Sequence, residues 1–305
     1  MAKNPNILII CGPTASGKTG LALQLAKELP KANILSVDSR QVYRSLDIVT
    51  GKDVPEDLSP HISIFGQDLF SPTTTANLGD FTRFGQKIIK QSIASNTPLI
   101  IVGGTGLYLK SLTQNLSSVS VPPNPVLRQK LEKLSLVDLQ ELLHQKNPQK
   151  FTSLNHSDLF NPRRLIRAIE IASVKTPAPT NSSLKANFYW VGLLPDKTTL
   201  KDQIRNRVQK RLDAGAVTEV SSLLRQYPDR SLPIFTSLGV SQICAFLNHE
   251  ITQDQLVDIW TNVEVDYARR QIVWFKKQPD IVWYDKDTDR QAFINQLKSI
   301  FSSNA

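Results

Sequence analysis

The sequence has few of the residues that build covalent or metal-bound frameworks. It contains only two cysteines, Cys11 and Cys244, which lie far apart and form no metal or disulfide pattern. Its four histidines show no close metal spacing either; they are His61, His144, His156 and His249. Because a disulfide scaffold is excluded, the cysteine content is typical of a reduced protein, and we expect a cytoplasmic one.

Long apolar runs are also missing. No run approaches the roughly 20 apolar residues that a membrane helix needs. The apolar stretch NILIIC at residues 6–11 is too short for a signal peptide, and a glycine-containing loop follows it instead of a small-residue cleavage site. The sequence therefore predicts a soluble protein with no membrane partner.

Acidic residues are too few to balance the basic ones. The chain has 27 Asp and Glu against 36 Lys and Arg, which gives a formal net charge of +9. A solvated basic surface explains this balance, and so does a polyanionic partner whose phosphates bind the cations. The location of the charge is therefore more informative than its sum.

Short apolar runs rich in β-branched residues recur along the chain. Helical spacing of apolar residues lies between several of them, as after Gly17 and across residues 80–94. Strands that alternate with helices predict an α/β fold, a parallel sheet with helices on both faces. The five runs with the length of buried strands are 6–11, 33–38, 98–104, 188–195 and 280–285.

Residues 120–185 break this alternation. They contain no convincing strand, include the helical stretches NPVLRQKLEKL and NPRRLIRAIEIASV, and hold ten Lys and Arg against five Asp and Glu. We interpret them as an inserted all-helical domain between two parts of the core, 1–119 and 186–305. A long helical crossover is the alternative interpretation.

The stretch GPTASGKT, from Gly12 to Thr19, has the spacing of a phosphate-binding loop. A predicted strand precedes it and a predicted helix follows, so the sheet is P-loop NTPase-like. Loop N–H groups and the helix N-terminus would face an anion. Lys18 would reach the terminal phosphate, and the hydroxyl of Thr19 would bind Mg²⁺. A mere turn is the alternative, and ATP is the default ligand of such a loop.

Asp38 stands where the second run ends. The carboxyl ends of parallel strands border the ligand crevice, so Asp38 would lie on the same rim as the loop. Its carboxylate there could hold Mg²⁺, could accept a proton from a nucleophile, or could simply cap the next helix.

The run 98–104 ends in VGGTGLY, where an ordinary ATPase would carry an aspartate. Gly103, Gly104 and Gly106 let another backbone or a flat ligand approach closely. Their spacing does not match a dinucleotide fingerprint, which argues against NAD. The missing aspartate is the first indication that ATP hydrolysis is not the reaction.

The stretch YARRQIVWFKK, from Tyr267 to Lys277, combines cations with aromatic residues. One interpretation is a basic helix whose Trp274 and Phe275 pack into the core. The other is a face that contacts RNA.

Five stretches in this order, GPTASGKT, SVDSRQVYR, VGGTGLY, RRLIRAIE and ARRQIVWFKK, resemble the tRNA dimethylallyltransferases, and the resemblance runs from about Ile7 to Trp283. The resemblance implies transfer of a dimethylallyl group from its diphosphate to the exocyclic amine of an adenosine beside the tRNA anticodon. It also implies Mg²⁺ as cofactor, the anticodon stem-loop as partner, and a base flipped out of its stack. For the assembly, the prediction is a monomer.

The resemblance assigns roles residue by residue. Catalytic roles fall to Asp38 as general base and to Lys18, Thr105 and Arg207; Thr19 is the metal ligand. The residues implied to bind diphosphate are Gly12, Pro13, Thr14, Ala15, Ser16, Gly17, Lys18, Thr19 and Arg207. Those implied to contact tRNA are Asp38, Ser39, Arg40, Gln41, Thr105, Arg128, Arg163, Arg164, Leu165, Ile166, Arg167, Arg269, Arg270 and Gln271.

The chain departs from the family pattern in three places: DIVTGKDVP at 47–55, LGVSQ at 238–242, and the pair Val265-Asp266. All three lie outside the loop at 12–19. Three other functions share some of the features: a prenyltransferase of free adenine nucleotides, a small-molecule kinase, and a basic RNA-binding module without catalysis. The first needs no large basic insertion, the second predicts ATP consumption, and the third leaves the phosphate loop unexplained.

Overall fold

The computed structural model describes residues 4–55, 57–114, 116, 119, 121–174, 184–196, 198–284 and 289–302. The chain divides into two compact units. The first combines residues 1–113 with 185–305, and the second comprises residues 114–184. The start of the predicted insertion at residue 120 lies outside the described residues.

The first unit is built on a six-stranded sheet in which every neighbouring pair of strands is parallel. The strand order is β3-β2-β4-β1-β5-β6. The predicted α/β fold with a parallel sheet is confirmed. The strands are β1 (Asn6–Cys11), β2 (Ala32–Val37), β3 (Ile62–Phe65), β4 (Leu99–Gly103), β5 (Asn187–Gly192) and β6 (Ile281–Trp283).

The central strands are apolar on both faces because helices cover both. All residues of β1 and β4 are buried, which explains why the sequence shows no alternation there. Leu8 and Ile10 belong to one core cluster together with Leu21, Leu25 and Ile294 from helices on that face. This arrangement removes the apolar side chains of the central strands from water.

Helices connect the strands and close the first unit. They are α1 (Lys18–Lys27), α2 (Leu78–Ala94), α3 (Gly106–Thr113), α9 (Leu200–Asp213), α10 (Ala216–Gln226), α11 (Val240–Leu247), α12 (Gln253–Phe275) and α13 (Arg290–Ser302), with a 3₁₀ helix at Pro233–Thr236. None of the helices in the described ranges is long and apolar enough to cross a bilayer. On the opposite face from α1, helix α2 packs against Leu35 and Leu112, which lie close to Gly85.

The second unit consists of helices, and its described residues contain no strand. The helices are α4 (Pro125–Leu131), α5 (Leu136–Lys146), α6 (Pro148–Thr152), α7 (His156–Leu159) and α8 (Pro162–Ala172). Three of them begin at an Asn-Pro pair, in which the side chain of Asn124, Asn147 or Asn161 accepts a backbone N–H of the first turn. Asparagine satisfies a free donor there, and proline at the first helical position lacks the N–H that would remain unpaired. The sequence thus specifies where these helices start.

Candidate active site

The phosphate-type loop lies between β1 and α1, as its sequence predicts. Gly17 precedes α1 with a φ of 81°, a left-handed conformation that glycine adopts without steric cost. The ammonium group of Lys18 donates to the carbonyl of Pro13 at 2.5 Å and approaches Ser16 Oγ at 3.4 Å. Burial, and then the positive charge of Arg207, lower the pKa of Lys18 to about 7. Among the described residues, no carboxylate forms an ion pair with Lys18.

Arg207, on α9, reaches this loop from the second half of the chain. Its Nη1 donates to Thr14 Oγ1 at 2.8 Å, and its Nη2 lies 3.1 Å from Asp53 Oδ2. The structure thus brings together the arginine and the loop that the resemblance assigned to one diphosphate. Asp53 was not among the predicted site residues, and it belongs to the departing segment 47–55.

Asp38 follows β2 at the carboxyl edge of the sheet. Its Oδ1 accepts the backbone N–H groups of Arg40 at 2.7 Å and Gln41 at 3.3 Å. Residues 39–42 form a turn and not a helix, so the helix-capping alternative is wrong; Asp38 instead stabilises this turn, which occupies only one carboxylate oxygen. Among the described residues, no hydrogen-bond donor reaches Oδ2, which leaves that oxygen available to a ligand.

A single cavity of about 620 Å³ unites these groups within the first unit. It opens at the carboxyl ends of the strands, where ligands bind in open parallel sheets. Its lining includes loop residues, the β2 rim and residues of α9 and α12. Among them are Thr14, Ala15, Gly17, Lys18, Thr19, Asp38, Ser39, Arg40, Gln41, Asp53, Arg207, Arg211, Glu264, Tyr267 and Gln271.

The other predicted residues of this unit lie around the cavity. Gly12, Pro13 and Ser16 complete the phosphate loop. Arg40 donates from Nη1 to the carbonyl of Pro233 at 2.9 Å. The side-chain amide of Gln41 accepts from Ser36 Oγ at 3.0 Å and donates to the carbonyl of Gly51 at 2.8 Å, so it ties the β2 rim to the segment 47–55.

Thr105 follows β4, and its buried Oγ1 has no hydrogen-bond partner among the described residues. Tyr267 is an aromatic residue of the site that sequence reasoning left out. Burial, and then the negative charge of Asp38, raise the pKa of Tyr267 to about 12. The phenol is therefore neutral, and it lines the same cavity as Asp38. A donor of this kind can orient a polar group beside the carboxylate.

The glycines of VGGTGLY accommodate the protein itself. A Cβ on Gly104 would lie 2.5 Å from Gln271 Nε2, and one on Gly106 would lie 2.2 Å from the ring of Trp274. Both neighbours belong to α12, so this helix packs directly onto the turn after β4. The close approach expected from the sequence is made in part by side chains of α12, and Gly103 and Gly104 also line the cavity.

Gln271 holds the phosphate loop in place. Its Oε1 accepts the backbone N–H of Thr14 at 2.8 Å, and its Nε2 donates to the carbonyl of Gly104 at 2.9 Å. The residue is buried, with 7% of its surface exposed. Its amide is therefore committed within the protein, although the resemblance placed it at the RNA.

A buried ion pair between α9 and α12 was missed from the sequence. Arg211 Nη1 lies 2.5 Å from Glu264 Oε1, and both side chains are less than one tenth exposed. Arg211 follows Arg207 by one helical turn, and Glu264 precedes Gln271 by two, so helical spacing places each on the same face as a predicted site residue. That spacing is the signal that could have revealed the pair.

The departing segment 47–55 is anchored from α10. Glu219 accepts the backbone N–H groups of Asp47, Ile48 and Val49, at 2.7, 2.8 and 2.8 Å. Three such bonds to one carboxylate fix the segment that carries Asp53 toward Arg207.

In the second unit, two of the predicted arginines share a buried carboxylate. Glu170 accepts from Arg128 Nε at 2.8 Å and Nη2 at 2.9 Å, and from Arg167 Nη1 at 2.8 Å. Burial alone would raise the pKa of Glu170, but these hydrogen bonds outweigh it and lower the pKa to about 2. Arg128 and Arg167 are therefore held in fixed orientations.

The remaining predicted residues of α8 divide by exposure. Arg163 and Arg164 are exposed, and Arg164 pairs with Asp158. The side chains of Leu165 and Ile166 are instead buried in the core of the unit with Leu143 and Ile169. The prediction that these two side chains contact tRNA is corrected: they support the helix, and its polar face carries the arginines.

The interpretation of YARRQIVWFKK as a basic helix with packed aromatic residues is confirmed in α12, and contact with RNA stays a prediction. Phe275 is fully buried, and Trp274 packs against Gly106, so the aromatic residues belong to the core. Arg269 and Arg270 are exposed on the same helix. Arg269 pairs with Asp266 at 3.0 Å, and the guanidinium of Arg270 lies 5.7 Å from the ring of Tyr267. The basic side of the helix remains accessible.

Residues 41–278 match the model of the IPP transferase family. A tRNA dimethylallyltransferase of Picosynechococcus sp. is 35% identical over 286 residues, which span 92% of this chain and 93% of that relative. A tRNA dimethylallyltransferase of Gloeothece citriformis is 34% identical over 305 residues, which span 98% and 96%.

Solved structures agree with this assignment. The tRNA isopentenylpyrophosphate transferase of Bacillus halodurans superposes with a TM-score of 0.71 at 25% identity, covering 98% of this chain and 96% of that one. A eukaryotic dimethylallyltransferase acting on tRNA gives a TM-score of 0.83 at 22% identity over 98% of this chain and 80% of that one, which supports the fold. The chain therefore belongs to the tRNA dimethylallyltransferase family, which the family model describes as IPP transferase.

Proposed function

We propose that the protein transfers a dimethylallyl group from dimethylallyl diphosphate to the exocyclic amine of an adenosine next to the tRNA anticodon, and releases pyrophosphate. The observation that carries the proposal is the shared cavity, in which a cationic loop for phosphates and an accessible carboxylate, Asp38, face the same space.

The diphosphate half of the reaction needs positive charge where the leaving group forms. As the allylic carbon–oxygen bond breaks, the electron pair goes to the diphosphate oxygen. Lys18, Arg207 and the N–H groups at the start of α1 supply donors for that charge. The pKa of Lys18, about 7 in the free protein, rises beside an anion, so the ammonium form is favoured when it is needed.

The nucleophile half needs a base. The amine of adenine is a weak nucleophile because its lone pair is delocalised into the ring. Asp38 Oδ2 accepts the proton that the amine loses as the new carbon–nitrogen bond forms. The hydroxyl group of Tyr267, which lines the same cavity as Asp38, can orient the adenine ring.

The site also has oxygen donors that suit Mg²⁺. Thr19 and Asp38 line the cavity with a hydroxyl and a carboxylate, and Mg²⁺ is typically held by one or two protein groups together with substrate phosphates. Thr19 would hold the ion, which would neutralise charge on the departing diphosphate, and Asp38 stays free to act as the base.

RNA recognition is assigned to the exposed cations. Arg163 and Arg164 of the second unit and Arg269 and Arg270 of α12 provide charge for phosphates. Arg128, fixed by Glu170, presents a preoriented guanidinium. Because an adenosine stacked in the anticodon loop is not accessible to a cavity, the base must leave its stack.

The test is pyrophosphate release measured with dimethylallyl diphosphate, Mg²⁺ and unmodified tRNA. For Asp38→Asn we expect turnover to fall by about 10²- to 10⁴-fold, the usual contribution of a positioned base, with tRNA affinity kept. If AMP stimulates pyrophosphate release as strongly as tRNA does, the result would instead support a prenyltransferase of free adenine nucleotides. Unchanged turnover in the variant would remove Asp38 from the role of base.

A further inference from the structure

Glu264 lies behind the contact between Arg207 and the phosphate loop. The acceptor of its Nη1, Thr14 Oγ1, lies 3.5 Å from Glu264 Oε2. Glu264 is 5% exposed, and its Oε1 accepts from Arg211 at 2.5 Å and from Trp260 Nε1 at 3.2 Å. A buried carboxylate therefore stands behind the contact between Arg207 and the phosphate loop.

The direction of these hydrogen bonds follows from proton counting. Arg207 is only a donor and the carboxylate of Glu264 is only an acceptor. The single hydroxyl proton of Thr14 must therefore point to Glu264, which leaves the lone pairs of Oγ1 for Arg207. The negative charge of Glu264 thus holds the hydroxyl proton away from Arg207 and keeps an Oγ1 lone pair available to its guanidinium group.

We propose that Glu264 is a positioning residue for diphosphate binding, which acts on Arg207 through Thr14, with Arg211 as its buried ion-pair partner. The inference rests on the proposed function, because it concerns the same diphosphate site. A buried carboxylate without a partner would be costly, and the pair with Arg211 offsets that cost.

Two observations indicate that the pair of Arg211 and Glu264 contributes to the cavity as well as to the packing of α9 on α12. Both Arg211 and Glu264 line the cavity. In addition, a Cβ on Gly51 would lie 2.7 Å from Arg211 Nη2 and 2.8 Å from Arg207 Nη2. Gly51, in the segment 47–55, thus packs against both guanidinium groups. A shift of either arginine therefore changes the lining of the ligand site.

The variant Glu264→Gln tests the proposal because it removes the charge and keeps the shape of the side chain. Arg211 and Trp260 both donate to the Oε1 position, so the glutamine oxygen must occupy it. The amide NH₂ then faces Thr14 and donates to Oγ1, so the hydroxyl proton must turn away from residue 264 and the contact with Arg207 weakens. We expect the Kd of inorganic pyrophosphate with Mg²⁺, measured by calorimetry, to rise by about tenfold, the scale of one charge-assisted hydrogen bond.

A matched control exists between the same two helices. Arg205 and Asp258 form an exposed pair linking α9 and α12, and Asp258→Asn should leave the pyrophosphate Kd within about twofold, as expected for a surface ion pair. In the single variant Glu264→Gln, Arg211 becomes a buried cation without a negative partner. The double variant Arg211→Met with Glu264→Gln removes that cation. It should recover thermal stability while its pyrophosphate affinity stays low, because the amide still faces Thr14.

The outcomes separate the inference from the proposed function. If the wild-type protein fails to bind pyrophosphate, the diphosphate site itself is wrong. If the wild type binds and the double variant is both stable and equally tight, Glu264 has a purely structural role and the inference is overturned. A KM for dimethylallyl diphosphate that rises in Glu264→Gln, with the KM for tRNA unchanged, supports it.

Discussion

A lysine whose pKa lies near neutrality makes the diphosphate loop sensitive to pH. The pKa of Lys18 is about 7 in the free protein because of burial and the charge of Arg207. A bound diphosphate stabilises the ammonium form and raises that pKa, so binding takes up a proton above pH 7. Pyrophosphate affinity should therefore fall by up to about tenfold per pH unit above 7, until the pKa of the complex is reached.

Calorimetry in buffers of different ionisation enthalpy measures this proton uptake directly. Lys18→Arg is the control, since its guanidinium keeps its charge and leaves only the protonation of pyrophosphate itself. If the wild type and Lys18→Arg take up the same number of protons when pyrophosphate binds, Lys18 is not the group that titrates.

Asp53 competes with the diphosphate for Arg207. Its carboxylate lies 3.1 Å from Arg207 Nη2 but is largely exposed, so the pair is weak. Removing the charge in Asp53→Asn should tighten pyrophosphate binding by about two- to fivefold, within the range of an exposed ion pair. Weaker binding in this variant would mean that Asp53 positions Arg207 instead of competing for it.

The residues of the site were predictable to different degrees. Lys18, Thr19 and Asp38 were found because their roles are tied to a local pattern: a loop between a strand and a helix, and a strand end. Glu264 and Arg211 depend on how α9 packs against α12, which no local pattern specifies. Leu165 and Ile166 were misassigned because the motif RRLIR mixes one exposed and one buried face of α8.

Among the elements, α8 of the second unit depends on one buried carboxylate. The pKa of Glu170 is about 2, against an ordinary value of 4.5. A lowered pKa contributes stability that is fully present above pH 4.5 and is lost as the pH falls toward 2, by about 3 kcal/mol in total. The free energy of unfolding, measured by urea titration with circular dichroism, should fall more steeply across this window than in Glu170→Gln.

The variant should itself be less stable at pH 7, because Arg128 and Arg167 lose their common partner. Glu141→Gln, an exposed change in the same unit, is the matched control and should follow the wild type. If Glu170→Gln and the wild type lose stability in parallel between pH 4.5 and 2, the network does not stabilise the unit.

Element boundaries followed the sequence where a local signal exists. The Asn-Pro pairs mark the starts of α4, α6 and α8, and buried runs mark β1, β2 and β4. Strand β3 was missed because it has only four residues at the edge of the sheet, and only Ile62 is fully buried. An edge strand of that length lacks the continuous apolar run of its neighbours.

At the scale of the whole molecule, a discontinuous core explains why both halves of the sequence build one site. Strand β5 returns after the second unit to pair with β1, so α9 and α12 can bring Arg207 and Gln271 to Thr14 of the loop, which lies 193 and 257 residues earlier. The alternation of strands and helices predicted this core. The contacts across the interruption could not be predicted, since they depend on tertiary packing.

The central claim is that the loop holds a diphosphate as a leaving group while an adenosine of tRNA accepts the prenyl carbon. Mass spectrometry of nucleosides tests it most directly, after incubation of the protein with dimethylallyl diphosphate, Mg²⁺ and unmodified tRNA. The account predicts one adenosine per substrate tRNA, beside the anticodon, with the added mass of a dimethylallyl group. Unmodified adenosine at that position, or phosphate transferred from ATP to the RNA instead, would contradict it.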